Sequence, residues 1–195
     1  NSSIYKSLDC AIHIAETLGH DATAWRRARA AIGEAIREKP HRFDRTWAPK
    51  TNFSMDWYYP VLCGAITGEA ARARLASRWD EFVVEGHGCR CVLGEPWVTI
   101  AEGSELAMAL MAVGDTERAR RMLHLQDQWR DDSHAYWMGY QYAENVPWPV
   151  EKPAWTAAAA ILAADAIYKL SPAANLFTRH SPGEADQQAQ GLHLL

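Results

Sequence analysis

The sequence predicts an all-helical fold of the (α/α) toroid type, here a partial ring of about seven helices with its long loops on one face. Three features predict it. Segments apolar on nearly every side alternate with segments apolar along a single stripe. Glycines close segments of the first kind. The connections alternate between very short and long.

Residues 3–18 carry Ile4, Leu8, Ala11, Ile12, Ile14, Ala15 and Leu18 on most sides, and Gly19 follows them, the residue type that most readily takes the left-handed conformation after a helix. Residues 22–38 place Trp25, Ala28, Ile32, Ala35 and Ile36 on one stripe, with Arg26, Arg27, Arg29, Glu34, Arg37 and Glu38 opposite, and Pro40 ends them. Residues 54–67 are apolar or aromatic and closed by Gly68, whereas 69–82 have one stripe through Leu75, Trp79 and Phe82. Residues 104–113 are apolar all round up to Gly114, and 116–129 are one-sided through Ala119, Met122, Leu123, Gln126 and Trp129. Residues 155–170 are Ala-rich and apolar all round. Helices apolar on all sides are buried and one-striped helices lie outside. The predicted order is therefore inner, outer, inner, outer, inner, outer, inner, with a hairpin period of ~50 residues.

Each outer helix follows its inner partner through a tight turn, at 19–21, Gly68 and 114–115, while 39–53, 83–103 and 130–154 lead back. All three long connections then fall at one end, beside the N-termini of the inner helices and their positive dipole ends. Long loops in compact domains are where sites are built, so this face is the predicted site. A closed ring of this kind needs about six hairpins, and these segments make about three and a half. The chain also opens at Asn1-Ser2-Ser3 without Met. Residues 1–177 are therefore expected to be part of a toroidal catalytic domain completed by a missing N-terminal half or a partner chain, with 178–195 a disordered tail.

A net charge of -4 argues against a nucleic-acid partner, which needs a basic footprint. No apolar run reaches the roughly 18 residues of a membrane span. Four cysteines are too sparse for a disulfide scaffold, and a reducing cytoplasmic location is the expectation. Nine Trp and seven Tyr call for dense packing or for aromatic platforms facing a ligand.

Four stretches on the predicted face carry candidate chemistry. Trp97, Glu102 and Glu105 stand at the mouth of the third inner helix. A carboxylate there is either a cap partner or, desolvated beside an indole, a group of raised proton affinity suited to acid catalysis. Asp56 precedes Trp57, Tyr58 and Tyr59 on the second inner helix, a binding patch or a cap with core aromatics. Tyr5 and Lys6 lie near the rim of the first, where Lys6 and Asp9 are spaced for an ion pair. The last long loop alternates Tyr136, Met138, Tyr140 and Tyr142, which predicts a short hairpin, and continues through Glu144 to Trp148 and Trp155. Aromatic rings mixed with carboxylates suit the C–H faces and hydroxyls of sugars. His87 with Cys89 and Cys91 does not match a zinc-ligand spacing, so free thiols on a flexible loop are expected and neither metal nor cofactor is.

Ser2 to Leu8, Asn52 to Pro60, Pro96-Trp97-Val98-Thr99 followed by Glu102 and Glu105-Leu106-Ala107, and Trp155-Thr156-Ala157 together resemble an actinobacterial toroid family often labelled prenyltransferase. It is the family of the mycobacterial methylmannose polysaccharide hydrolases, endomannanases acting on α-1,4-linked mannosides. The resemblance covers the chain to about Phe177. It implies a protein roughly twice this long, of which this is the C-terminal half, and a two-carboxylate, inverting glycoside hydrolase. Glu102 is the implied catalytic carboxyl, with a second, Asp, carboxyl outside this chain. Tyr5, Lys6, Asp56, Trp57, Tyr58, Tyr59, Trp97, Glu105, Tyr140, Glu144, Trp148 and Trp155 would contact an oligosaccharide or polysaccharide. The alternatives are a prenyl- or terpene-transferring toroid, which needs an Asp-rich cluster or zinc site not seen in the sequence, and a non-catalytic carbohydrate-binding half-ring.

Overall fold

The computed structural model describes residues 1–178, and α-helices dominate them. The expected tail lies outside the described residues except for Thr178. Helix α1 (Ser2–Thr17) turns through Gly19, at φ +73°, into α2 (Thr23–Glu38), and the two pack together. Asp9 ties the pair, with Oδ2 3.3 Å from Lys6 Nζ and Oδ1 3.0 Å from Arg29.

Helix α3 (Ser54–Leu62) stops well short of the predicted residue 67. The stop is Gly64, at φ +75°, where the Gly64 N–H donates to the Val61 carbonyl at 3.0 Å and the Ile66 N–H to Pro60 at 2.9 Å. Gly68 instead starts α4 (Gly68–Ser77), and the predicted single outer helix breaks at Arg78 into α4 and the short α5 (Trp79–Phe82). Pro60 inside α3 has no N–H to offer the carbonyl of Asp56. Arg74 of α4 fills the gap: its guanidinium donates to the Asp56 carbonyl at 2.8 Å and to that of Trp57 at 2.7 Å. Trp57 Nε1 donates back to the Arg74 carbonyl at 2.7 Å.

Helix α6 (Ile100–Ala112) begins at Ile100 rather than residue 104, so Glu102 sits inside its first turn. Helix α7 (Thr116–Leu125) is capped by the Asp115 carboxylate, which accepts from the Arg118 N–H at 3.1 Å, and runs into a 3₁₀ turn, Gln126–Trp129. Helix α8 (Ala154–Tyr168) ends the described helices.

The long connections contain short strands, of which the alternation in the last loop had signalled only the final hairpin. Strands β1 (Val83–Val84) and β2 (Gly88–Cys89) form one antiparallel pair. Strands β3 (Trp97–Thr99), β4 (Gly139–Gln141) and β5 (Val146–Pro147) form an antiparallel sheet in that order, with Val98 opposite Tyr140 and Tyr140 opposite Pro147. The hairpin expected over 136–142 is therefore the β4–β5 hairpin further along the chain. The three connections touch one another. Phe53 bridges Val92, the Leu93 N–H donates to the Asn52 carbonyl at 2.8 Å, and Arg90 Nε donates to the Tyr142 hydroxyl at 3.1 Å.

Helix α6 packs against α3, α7 and α8, and Leu106, Ala107, Met108, Ala109 and Leu110 are buried at the centre of the core. Of the predicted inner helices, only α6 is covered on nearly every side. Ile14 on α1 is 58% exposed and Ile161 on α8 is 68% exposed. No described helix is long and apolar enough to cross a membrane.

Candidate active site

The four predicted inner helices converge on one cavity of about 550 Å³. Its polar lining comes from Ser3, Lys6 and Ser7 of α1, Tyr59 of α3 and Glu105 of α6. Apolar side chains, Ile14, Leu62, Met108 and Leu162, make up much of the remaining wall, and Leu176 and Phe177 join it from beyond α8. A wall that mixes a few polar groups with apolar ones suits an organic ligand that carries both hydroxyls and hydrocarbon faces.

Glu105 is the one acid among the lining residues. Its Oε2 accepts from the Tyr58 hydroxyl at 2.6 Å and its Oε1 from the Tyr59 hydroxyl at 2.8 Å. Consecutive residues on a helix point about 100° apart, yet both tyrosines reach one carboxyl because Glu105 enters between them from the facing helix. Burial raises the proton affinity of Glu105. The two tyrosine hydrogen bonds oppose that shift, and the nearby charge of Glu102 adds to it. Both phenols are held above the ordinary tyrosine range, first by burial and then by the negative charge of Glu105.

Glu102 lies three residues back on α6 and is 9% exposed. The Thr99 hydroxyl donates to its Oε2. Thr99 and Glu102 have the Thr-x-x-Glu spacing of a capping box, but the hydroxyl reaches the Glu102 side chain rather than a backbone N–H. That spacing was the readable signal for Thr99. Nothing in the sequence marked the Tyr58–Glu105–Tyr59 arrangement.

Lys6 and Tyr59 line the cavity with Glu105, and Tyr58 joins them through its hydrogen bond. Other predicted contact residues lie elsewhere. Trp57 is 1% exposed and stacks on Phe82 with ring centroids 5.4 Å apart, so it is a core residue and not a sugar platform. The i to i+1 rotation that brings Tyr58 toward Glu105 turns Trp57 into the interior. Tyr5 is buried against α2, with the Arg29 guanidinium 4.6 Å from its ring centroid and Gly33 leaving room for its edge. Asp56 is half-buried in the first turn of α3. Tyr140 has one face covered by Trp129 at a centroid distance of 3.8 Å. Trp97 Nε1 donates to the Trp148 carbonyl at 2.6 Å, and the two indoles meet edge to face at 5.0 Å. Trp148, Glu144 and Trp155 are exposed, none of them on the cavity wall. Among the described residues, no three His, Cys, Asp or Glu side chains are grouped to hold a metal ion.

No protein-family profile matches the chain. Over 176 residues, 90% of its length, it is 45% identical to the MMP endo-(1,4)-3-O-methyl-alpha-D-mannosidase of Mycolicibacterium hassiacum. The chain is similar to a mannosidase. It spans about half of that relative, 48% of its length. The resemblance carried by the Trp97 to Glu105 stretch and the α3 aromatics thus extends over nearly the whole sequence.

Proposed function

We propose that this chain is one side of an α/α ring whose inner cavity binds an α-1,4-linked mannoside, and that Glu102 is one of two catalytic carboxyls of a glycoside hydrolase. The observation that carries the reading is the convergence of four apolar helices on a single cavity. Its one acid, Glu105, lies a turn beyond Glu102. The similarity to a named mannosidase gives the sugar class. A wall of mixed polar and apolar side chains fits a mannose unit bearing an O-methyl group, as in the relative's name.

In this reading Lys6, Tyr59 and Glu105 grip sugar hydroxyls. The second catalytic carboxyl comes from outside this chain, in the rest of a longer protein or in a partner that covers the exposed faces of α1 and α8 and completes the ring. One carboxyl protonates the leaving oxygen and the other activates water. An inverting course needs the two about 6.5–9.5 Å apart. The test is hydrolysis of α-1,4-linked manno-oligosaccharide, with and without 3-O-methyl groups, by the intact protein and by its Glu102→Gln variant. Loss of about 10²-fold or more in kcat is expected. Wild-type activity in the variant removes Glu102 from the assignment, and oligosaccharide binding with no turnover by the intact protein leaves a carbohydrate-binding half-ring.

A further inference from the structure

Tyr58 and Tyr59 hold the same carboxyl and differ in what else they can reach. Tyr59 is half-buried and lines the cavity, so a ligand can take over its hydrogen bond with Glu105. Tyr58 is 0% exposed, and its 2.6 Å hydrogen bond to Glu105 Oε2 is closed to any ligand. The backbone that carries Tyr58 is fixed as well. Arg74 of α4 binds the carbonyls of Asp56 and Trp57, the two residues before it. The Trp57 indole returns that contact and meets the Tyr58 ring edge to face, 6.3 Å between centroids. The Tyr59 ring tilts against Tyr58 at 5.4 Å. A fully buried ring among such neighbours has no open space to turn into.

We propose that Tyr58 is a positioning residue, its hydroxyl pinning one oxygen of Glu105 so that the carboxyl keeps the orientation in which it takes a sugar hydroxyl, while Tyr59 exchanges with the ligand. The proposal rests on the mannoside reading above. An ionised carboxyl has about four acceptor sites. The two tyrosines fill part of them, and the rest are left for a hydroxyl of the ligand. A glutamate has several torsions, and each one still free costs entropy when a ligand stops it. Tyr58 stops them before the ligand arrives. A neutral phenol does so without adding a charge, and its proton stays in place because burial holds it above the ordinary tyrosine range. Glu102 on α6, Cys63 after α3, Cys89 on β2 and Lys6 on the cavity wall are the other titratable groups around Glu105.

Two measurements on the intact protein test it. The first is the titration of Glu105, followed by carbon NMR of labelled glutamate side chains and assigned with Glu105→Gln. A hydrogen bond to the ionised form lowers a carboxyl's proton affinity, so Tyr58→Phe should raise the Glu105 pKa by about one unit. An unchanged pKa overturns the proposal. The second is turnover of α-1,4-linked manno-oligosaccharide. Tyr58→Phe keeps the ring and should lower kcat/KM by about tenfold, mostly through KM, as expected for a lost hydrogen bond to a charged group. In the Glu105→Gln background the same change should cost about threefold or less, because the partner is then a neutral amide. A role in packing alone would cost the same in both backgrounds. Equal losses, or none in either, overturn the proposal while the hydrolase reading stands. If the wild type cleaves no mannoside, both fall.

Discussion

Helices α6 and α8 are nearly the same kind of sequence and have opposite fates. Both are rich in Ala and apolar on almost every side. Helix α6 is enclosed by α3, α7, α8 and the strands β2 and β3, and ten of its residues, Ile100 to Ser104 and Leu106 to Leu110, are buried. Helix α8 is backed by α6 and α7 and leaves Trp155, Ile161 and Tyr168 outward. Apolar character therefore measures how much cover a helix needs, not how much it has. The covered helix carries Glu102 and Glu105, while α8 buries its own carboxyl, Asp165, against the Ser171 N–H and hydroxyl at its C-terminal end.

The comparison can be broken most directly at Leu106, fully buried on α6. Leu106→Ala should cost about 2–5 kcal/mol in urea unfolding, the transfer loss plus a cavity. A loss under about 1 kcal/mol would mean that α6 is not the packing centre.

The second prediction concerns the charge that α6 encloses. Glu105 has a folded-state pKa raised above the ordinary 4.5, first by burial. The folded state therefore holds the proton longer than the unfolded chain. Its contribution to stability is fully present below about pH 4.5, declines as pH rises through the raised value, and is flat beyond it. The slope is no steeper than about 1.4 kcal/mol per pH unit for one proton. Glu105→Gln should remove that slope, which stability curves collected across the acid range would detect. An unchanged slope would place the responsible group elsewhere.

The smallest effect is expected on α8. Ile161→Ser changes an exposed side chain and should shift stability by no more than about 0.5 kcal/mol in the isolated chain. A cost near that of Leu106→Ala would show that α8 is covered in solution, as the proposed ring requires of the intact protein, and would sharpen the comparison by locating the cover.

Several parts of this molecule were readable from composition and spacing. The 3.6-residue rhythm located every major helix, and Gly19 and Gly114 marked real turns, at φ +73° and +82°. The motif around Trp97, Glu102 and Glu105 pointed to the start of α6. Other parts were not readable. Strands of two or three residues have no period to detect. The end of α3 was misplaced because Gly64 and Gly68 are equally good stops as residue types, and only the Ile66 to Pro60 hydrogen bond distinguishes them. Arg74 looked like one more surface charge on an outer helix, until Pro60 left carbonyls that needed a donor.

By itself, then, the sequence determined the order of the main helices, the turns at Gly19 and Gly114 and the neighbourhood of the two glutamates, because these depend on local periodicity and on residues close in the chain. The tertiary structure alone decided what each aromatic packs against. It stacked Trp57 on Phe82 and brought Tyr58 and Tyr59 onto Glu105. The physical reason is the same in each case. A side chain's partner is set by the element packed opposite it, and that element lies tens of residues away in a direction that no local pattern encodes.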